Sequence, residues 1–419
     1  HYQGNRDPHL RFALLTDFAD APEEEMPEDE DLLRYAIRGI RDLNRRYDPE
    51  GRGLFYLFHR RRQWNPSEGS WMGWERKRGK LVEFNHLLRG DEHTSYTTQL
   101  GEVEALLGAE IRFVITLDAD TILPRGAAHR LVATLAHPLN RAEFVRGSAQ
   151  VLSGYTILQP RTEIKPADVG RSLFCQAFAG DVGLDLYTRA VSDVYQDLFG
   201  EGIYVGKGIY DVDAFERSLR DRVPENSLLS HDLFEGIHGR AALVTDIVLY
   251  ESYPPEYLAY AQRLHRWVRG DWQLLPWLLP GVPKEGGGTC PNRLSVIDRW
   301  KIFDNLRRSL HAPALLAFLV LGWLWLPGSP LVWTLIALFV SGLPLFAGAV
   351  TALARGLQPS GRTPLPSLRA EALRWLFSLV FLPYEALLMV DAIGATLVRL
   401  LISRKRLLQW TTSAHTLRI

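Results

Sequence analysis

Cysteine is nearly absent from the 419 residues. Only Cys175 and Cys290 occur, too few for a disulfide scaffold and in keeping with a reducing compartment. Net charge is absent too: 48 basic and 48 acidic residues cancel. That removes the excess of one sign that would steer the chain to nucleic acid or hold it unfolded. No internal repeat or low-complexity tract occurs. The chain starts at His1 without a signal-peptide pattern, so an internal stretch of a longer protein is expected. What it has in quantity is apolar surface: 47% hydrophobic residues and 12 tryptophans, enough for a large core.

A mean hydropathy of −0.08 conceals a shift along the chain. Charges are spread throughout up to about residue 300. Beyond it, Ala312–Leu326 and Leu331–Ala354 contain no charged residue, and Ala372–Ile402 contains Arg374, Glu385, Asp391 and Arg399. A bilayer crossing takes about 20 mostly apolar residues, so these three runs predict a membrane region. The preceding stretch, DRWKIFDNLRRSL, alternates apolar and basic residues and suits an interfacial helix. With Arg307 and Arg308 kept inside, the first two runs cross out and back. Either the third run is re-entrant or interfacial, or it hides a second crossing. Glu385 and Asp391 are then expected to face protein or water.

The first 297 residues alternate strand and helix signals. Strands are expected in RFALLTDFADA, GLFYLFH, FVITL and near Tyr155–Pro160, and helices over Leu32–Tyr47 and Gly126–His137. Gly170–Arg222 reads as mainly helical with a Gly-rich insert. This order predicts an α/β domain on a mostly parallel sheet, with ligands at the carboxyl ends of strands.

Four clusters can carry chemistry. Asp118 and Asp120 close the FVIT strand. Two carboxylates so near either bind a hard divalent ion and phosphate or are solvated acids in a turn. An aspartate-nucleophile phosphatase also has D-x-D after an apolar strand, but it favours Thr or Val where Ile122 stands. In SLLSHDLFEGIHGR, Asp232 is either a helix cap or a general base, and His231 and Asp232 with His238 are a possible metal set. In YAQRLHRWVRGDW, arginines 263, 266 and 269 recur every three residues among tryptophans, a pattern for clamping phosphate and stacking a sugar. KRGKLVEFN either touches a nucleotide or is a surface turn.

Taken in order, TDFAD, KRGKLVEFN, LDAD, SHD and RLHRW followed by apolar runs resemble the membrane-embedded, inverting GT-A (Rossmann-like) glycosyltransferases that include cellulose synthase. The wording of LRFALLTDFADAPEE, WMGWERKRGKLVEFNHLLRG, FVITLDADTILPRGAAHRL, FGEGIYVGKGIYDVDAF and RLHRWVRGDWQLLPW is similar to the glycosyltransferase module of cyclic β-1,2-glucan synthases, over most of the chain. The resemblance implies a GT-A domain over residues 1–297, lacking its first strand. An interfacial helix over 298–310, a transmembrane region over 311–403 and the start of a cytoplasmic segment over 404–419 follow. It implies glucose transfer from UDP-glucose to a growing β-1,2-glucan at the cytoplasmic side of a bacterial inner membrane. Asp17 and Lys80 would hold the nucleoside, with Asp118 and Asp120 on the diphosphate through Mg²⁺ or Mn²⁺. Asp232 would be the base, Arg263 and Arg266 the phosphate clamp, and Trp267, Gly206, Gly208 and Tyr210 the acceptor side. Membrane lipid, the glucan chain and a downstream phosphorylase-like region of the full protein are the implied partners. Ser230-His231 departs from the Thr-Glu that precedes the base in that family. The alternatives are another processive β-glycan synthase of the cellulose, chitin or hyaluronan type, or the D-x-D phosphatase.

Overall fold

The computed structural model describes residues 1–178, 194–356 and 365–409. The end of the expected final segment, 410–419, lies outside the described residues, as does 179–193 within the stretch read as helical.

Two small sheets carry the first 251 residues. In the first, β1 (Phe12–Asp17) runs parallel to β2 (Phe55–Arg60), and β2 pairs antiparallel with β3 (Tyr96–Leu100). Every residue of β2 is buried, so this strand has no solvent face and reads as a continuous apolar run ending in His59 and Arg60. Helix α1 (Asp29–Tyr47) begins with three acidic residues and ends with Arg45 and Arg46, each sign at the helix end that favours it. It packs Ile40 on Phe55 and Leu57. Helix α2 (Arg76–Leu88) covers the other side with Phe84, Leu87 and Leu88.

The second sheet holds β4 (Phe113–Thr116), β5 (Ile157–Ile164), β6 (Gly208–Asp211) and β7 (Ala242–Glu251), in the spatial order β7-β5-β6-β4. The expectation of one mostly parallel sheet is corrected here. β6 inserts antiparallel between β4 and β5, and only β7 with β5 is parallel. The inserted strand is the Gly-rich GIYD, buried at Gly208, Ile209 and Tyr210. Gly208 (φ +151°) is required there, because a Cβ would stand 2.1 Å from the Leu158 carbonyl oxygen. Helix α3 (Ala127–Ala136) packs Leu131 and Leu135 on this sheet.

Two further helices follow: α4 (Asp232–Gly239), whose Phe234 meets Trp277 edge-on, and α5 (Tyr257–Gln273). Helix α6 (Val296–Ser309) opens on a capping box in which Ser295 and Asp298 satisfy each other's backbone N–H. Beyond it the chain is helical and apolar: α7 (His311–Leu324), α8 (Pro330–Ser341), α9 (Leu343–Gly356), α10 (Leu365–Val380) and α11 (Leu382–Val398). Large side chains such as Trp323, Trp325, Leu335, Phe339, Leu387 and Ile402 stay exposed.

The lengths do not reproduce the expected crossings. Among the described residues one helix, Leu382–Ser403, is long and apolar enough to span a bilayer. The second run breaks at Gly342 into α8 and α9, which bend by 61° and count as one span only if taken together. The first run yields a helix of 14 residues, and the third divides at Phe381. A multi-pass arrangement therefore finds no support in helix length. Asp391, with 74% of its side chain exposed, has its Oδ2 2.9 Å from His265 Nε2 on α5.

Candidate active site

The site is organised by the first turns of α2. Glu75 and Arg76, just ahead of Lys77, both take left-handed backbone angles (φ 48° and 52°), a conformation that costs a non-glycine residue about 1–2 kcal/mol. Buried Glu75 holds Arg78 at 2.9 Å and also accepts from the Asn226 N–H. The strained turn aims Lys77 and Lys80, one turn apart, at two different carboxylates. Lys80 Nζ stands 2.9 Å from Asp17 Oδ2, and Lys77 Nζ donates to Asp118 Oδ1 at 2.6 Å.

Asp17, at the carboxyl end of β1, also accepts from Arg60 Nε at 2.6 Å. Arg60 has no exposed surface; it also reaches Glu83 Oε2 at 2.8 Å and the carbonyls of Trp74 and Arg76. Burial alone would raise the Asp17 pKa, but the Arg60 hydrogen bond and the charges of Lys80 and Arg60 bring it below the ordinary carboxylate value.

Asp118 and Asp120 sit in the turn that follows β4, closed by the Thr121 N–H donating to the Asp118 carbonyl. Asp118 lies between two ammonium groups, with Lys77 on one oxygen and Lys207 Nζ 3.4 Å from the other. Lys207 is buried and also pairs with Glu251 at the end of β7. Burial opposes ionisation of Asp118, yet Lys77 and Lys207 hold its pKa down to about 2. The Asp120 carbonyl is fixed by Lys165 Nζ at 2.8 Å.

Lys77 also links this pair to the other candidates, because it donates to the Gly206 carbonyl at 2.9 Å. Gly206 (φ +83°) lies directly on Asp232: a Cβ there would stand 2.5 Å from Asp232 Oδ1. Asp232 starts α4 beside His231, and Arg266 on α5 feels the charges of both Asp232 and Asp118. Burial, then neighbouring Arg263, lowers the Arg266 pKa to about 10, and the two aspartates act against that shift. Helix α5 comes this close because Gly270 leaves no Cβ to strike Ser230.

The predicted residues thus divide. Asp118, Gly206, Asp232 and Arg266 converge, with Asp17 and Lys80 on the far side of the α2 turn. Arg263 lies over the Trp267 ring at 5.0 Å, and Trp267 is partly buried against Leu264, Val268, Met389 and Ala392. Tyr210 is 1% exposed; its hydroxyl donates to Asn85 Oδ1 at 2.8 Å and its ring stacks on Phe215, a core position. Gly208 lies inside β6, as described above. Arg269, the third arginine of the spacing, turns away and donates to the carbonyls of Arg406, Leu407 and Gln409. His238 packs edge-on against Phe234 at 4.3 Å. The metal-competent group is His231, Asp232 and Glu235 instead.

Sequence reasoning missed Lys77, Lys207, Glu251, Arg60 and Glu83. Lys77 and Lys80 have equal local claims in KRGK, and only the fold decides which reaches Asp118. The buried partners carry no local signal, since each is matched to its carboxylate across 20 or more residues.

No protein-family model matches the chain. It is 44% identical, over 99% of its length, to a segment of cyclic beta-(1,2)-glucan synthase NdvB of Rhizobium meliloti (strain 1021). The chain spans 14% of that protein's length. The resemblance read from five motifs therefore extends across nearly every residue, and the chain is a homologue of one segment of a much longer cyclic β-(1,2)-glucan synthase.

Proposed function

We propose that the chain is the glucosyl-transferring module of a cyclic β-1,2-glucan synthase, with a GT-A type donor site and an attachment to the cytoplasmic face of a bacterial inner membrane. The observation that carries this reading is the single cluster of Asp118, Lys77, Gly206, Asp232 and Arg266, which juxtaposes a carboxylate–lysine pair, a free-standing carboxylate and an arginine.

In the proposed reaction Asp17 and Lys80 bind the nucleoside end of UDP-glucose. Lys77, Arg263 and Arg266 bind the diphosphate, and Lys77 exchanges its contact with Asp118 for phosphate oxygens. The acceptor hydroxyl loses its proton to Asp232 as its oxygen attacks the anomeric carbon. The bond to UDP breaks on the opposite face, so the α-linked donor gives a β linkage. Asp118 and Asp120 can supply two oxygens to a hard cation, which takes its remaining ligands from phosphate and water; bound there, Mg²⁺ or Mn²⁺ would neutralise charge on the diphosphate. Asp118 fits this role because it stays ionised, although both its oxygens meet lysines in this structure. The same lysines weigh against a phosphatase, whose aspartate must be open to attack phosphorus. Trp267 and the backbone of buried Gly206, beside Asp232, border the acceptor. The GT-A domain over 1–297, the membrane-facing helices and a downstream phosphorylase-like region complete the proposal.

The test uses the full-length protein with UDP-[¹⁴C]glucose and Mg²⁺. A β-1,2-linked product and a loss of about 10²–10⁴-fold in Asp232→Asn are expected. A 1,4-linked product would move the chain to the cellulose-type synthases, and undiminished transfer in the variant would remove Asp232 as base.

A further inference from the structure

Three donor atoms on the first turn of α4 have no use in the transfer chemistry as a set. His231 is 6% exposed, and its Nε2 has no hydrogen-bond partner; Asp232 Oδ1, also buried, has none either. The two stand 3.5 Å apart, and His231 Nε2 is 3.9 Å from Glu235 Oε1. All three ligand atoms lie within 4.8 Å of one another.

These spacings are too long for hydrogen bonds and near those of a coordination shell. Around a tetrahedral ion with bonds of about 2.1 Å, neighbouring donors stand about 3.4 Å apart. His231 and Glu235 are four residues apart on one helical face, the spacing by which a helix offers two ligands to one ion. One imidazole and two carboxylates form a set suited to Zn²⁺ rather than to Mg²⁺, which wants six oxygens. Asp232 keeps 29% of its side chain exposed, which leaves a route for an ion and a fourth ligand.

We propose that His231, Asp232 and Glu235 form a tetrahedral site for a divalent transition ion of the Zn²⁺ class. The site is separate from the hard-cation pair Asp118 and Asp120. An ion there takes the Oδ1 lone pair of Asp232, so transfer falls as the site fills. That consequence rests on the reading of Asp232 as base, whereas the binding does not. Lys77 and Arg78 act on His231 and Glu235 from one side and oppose a cation. The two carboxylates offset them.

Metal-free full-length protein titrated with Co²⁺ is expected to develop the visible absorption of tetrahedral cobalt, with Zn²⁺ displacing it. The band should vanish in His231→Gln and Glu235→Gln and persist in Asp120→Asn, with circular dichroism confirming each fold. If the variants misfold, zinc-edge X-ray absorption of the wild type decides. A shell of nitrogen and oxygen at about 2.0–2.1 Å with imidazole scattering supports the site. Sulfur at about 2.3 Å overturns it, as does a missing band or one unchanged in the variants. A bound ion with full activity in Asp232→Asn would sink the base alone.

Discussion

Gly206→Ala tests whether the Asp232 carboxylate stands where the acceptor proton must go. The glycine has φ +83°, and the added methyl would lie 2.5, 2.8 and 2.9 Å from the Oδ1, Cγ and Oδ2 atoms of Asp232. Ordinary contact begins near 3.5 Å, so the carboxylate must move by roughly 1 Å. His231 Nε2, 3.5 Å from Oδ1, limits the room for that movement. A displacement of about 1 Å in a catalytic group costs on the order of 10²-fold in rate, or about 2.7 kcal/mol of barrier. The left-handed backbone adds about 1–2 kcal/mol of strain that is felt in stability rather than in chemistry. The assay pairs initial rates of [¹⁴C]glucose transfer from UDP-glucose with calorimetric binding of UDP. Turnover should fall about 100-fold while UDP affinity stays within about threefold, because the Gly206 carbonyl that holds Lys77 survives the change. Gly208→Ala is the control: its methyl meets the Leu158 carbonyl inside the sheet, so it should lower thermal stability together with UDP binding. Turnover within fivefold of wild type in a folded Gly206→Ala protein would refute the placement of the base.

Arg60→Met leaves Asp17 to Lys80 and Glu83 to Ser95, with side chains 16% and 12% exposed, and should cost about 3 kcal/mol in a urea titration; Arg60→Lys, with one point charge for four acceptors, should rescue little. His231 is kept neutral down to about pH 4, by burial first and by Lys77 and Arg78 against the pull of Asp232. In the unfolded chain it protonates below about 6.5, so the folded state should lose about 1.4 kcal/mol per pH unit between those values, a slope that His231→Gln removes. Chelation of divalent ions should abolish transfer and Mg²⁺ or Mn²⁺ restore it, with Asp120→Asn raising the ion concentration needed by about tenfold or more.

What local pattern could and could not reveal follows from where the energy lies. β1, α1, β4, α3 and α6 were all legible, since each has its own periodicity, acidic start or cap within a few residues. β6 was not. Its four residues gain their place by hydrogen bonding to Phe113–Thr116 and Ile157–Leu158, and nothing in GKGIYD states those partners. The same distance in sequence hid the Lys207–Glu251 pair and the choice of Lys77 over Lys80. Tyr210 shows the converse. It stands in a stretch that the resemblance assigns to the acceptor, yet both faces of β6 are covered, and its ring lies in the core against Phe215, where Asn85 satisfies its hydroxyl.

The three arginines of α5 look alike in sequence and differ in what they must satisfy. Arg263 lies over the Trp267 ring, and Arg266 lies within the field of Asp232 and Asp118. Arg269 is 7% exposed and spends its donors on the carbonyls of residues 406, 407 and 409, while Gln273 donates to Leu407 and Arg76 to Leu408. Those last residues follow directly from Leu382–Ser403, among the described residues the one helix long enough to cross a bilayer. α11 packs Met389 and Ala392 on Leu264 and Val268, one face of the helix that carries the arginines. The chain returning from α11 therefore closes over both α5 and the start of α2, next to Lys77. A buried arginine whose terminal nitrogens donate to main-chain carbonyls cannot be separated from them cheaply. The position of Arg263 and Arg266 is consequently tied to the apolar helices as well as to the two sheets, which links the proposed donor site to the part of the chain that would meet lipid.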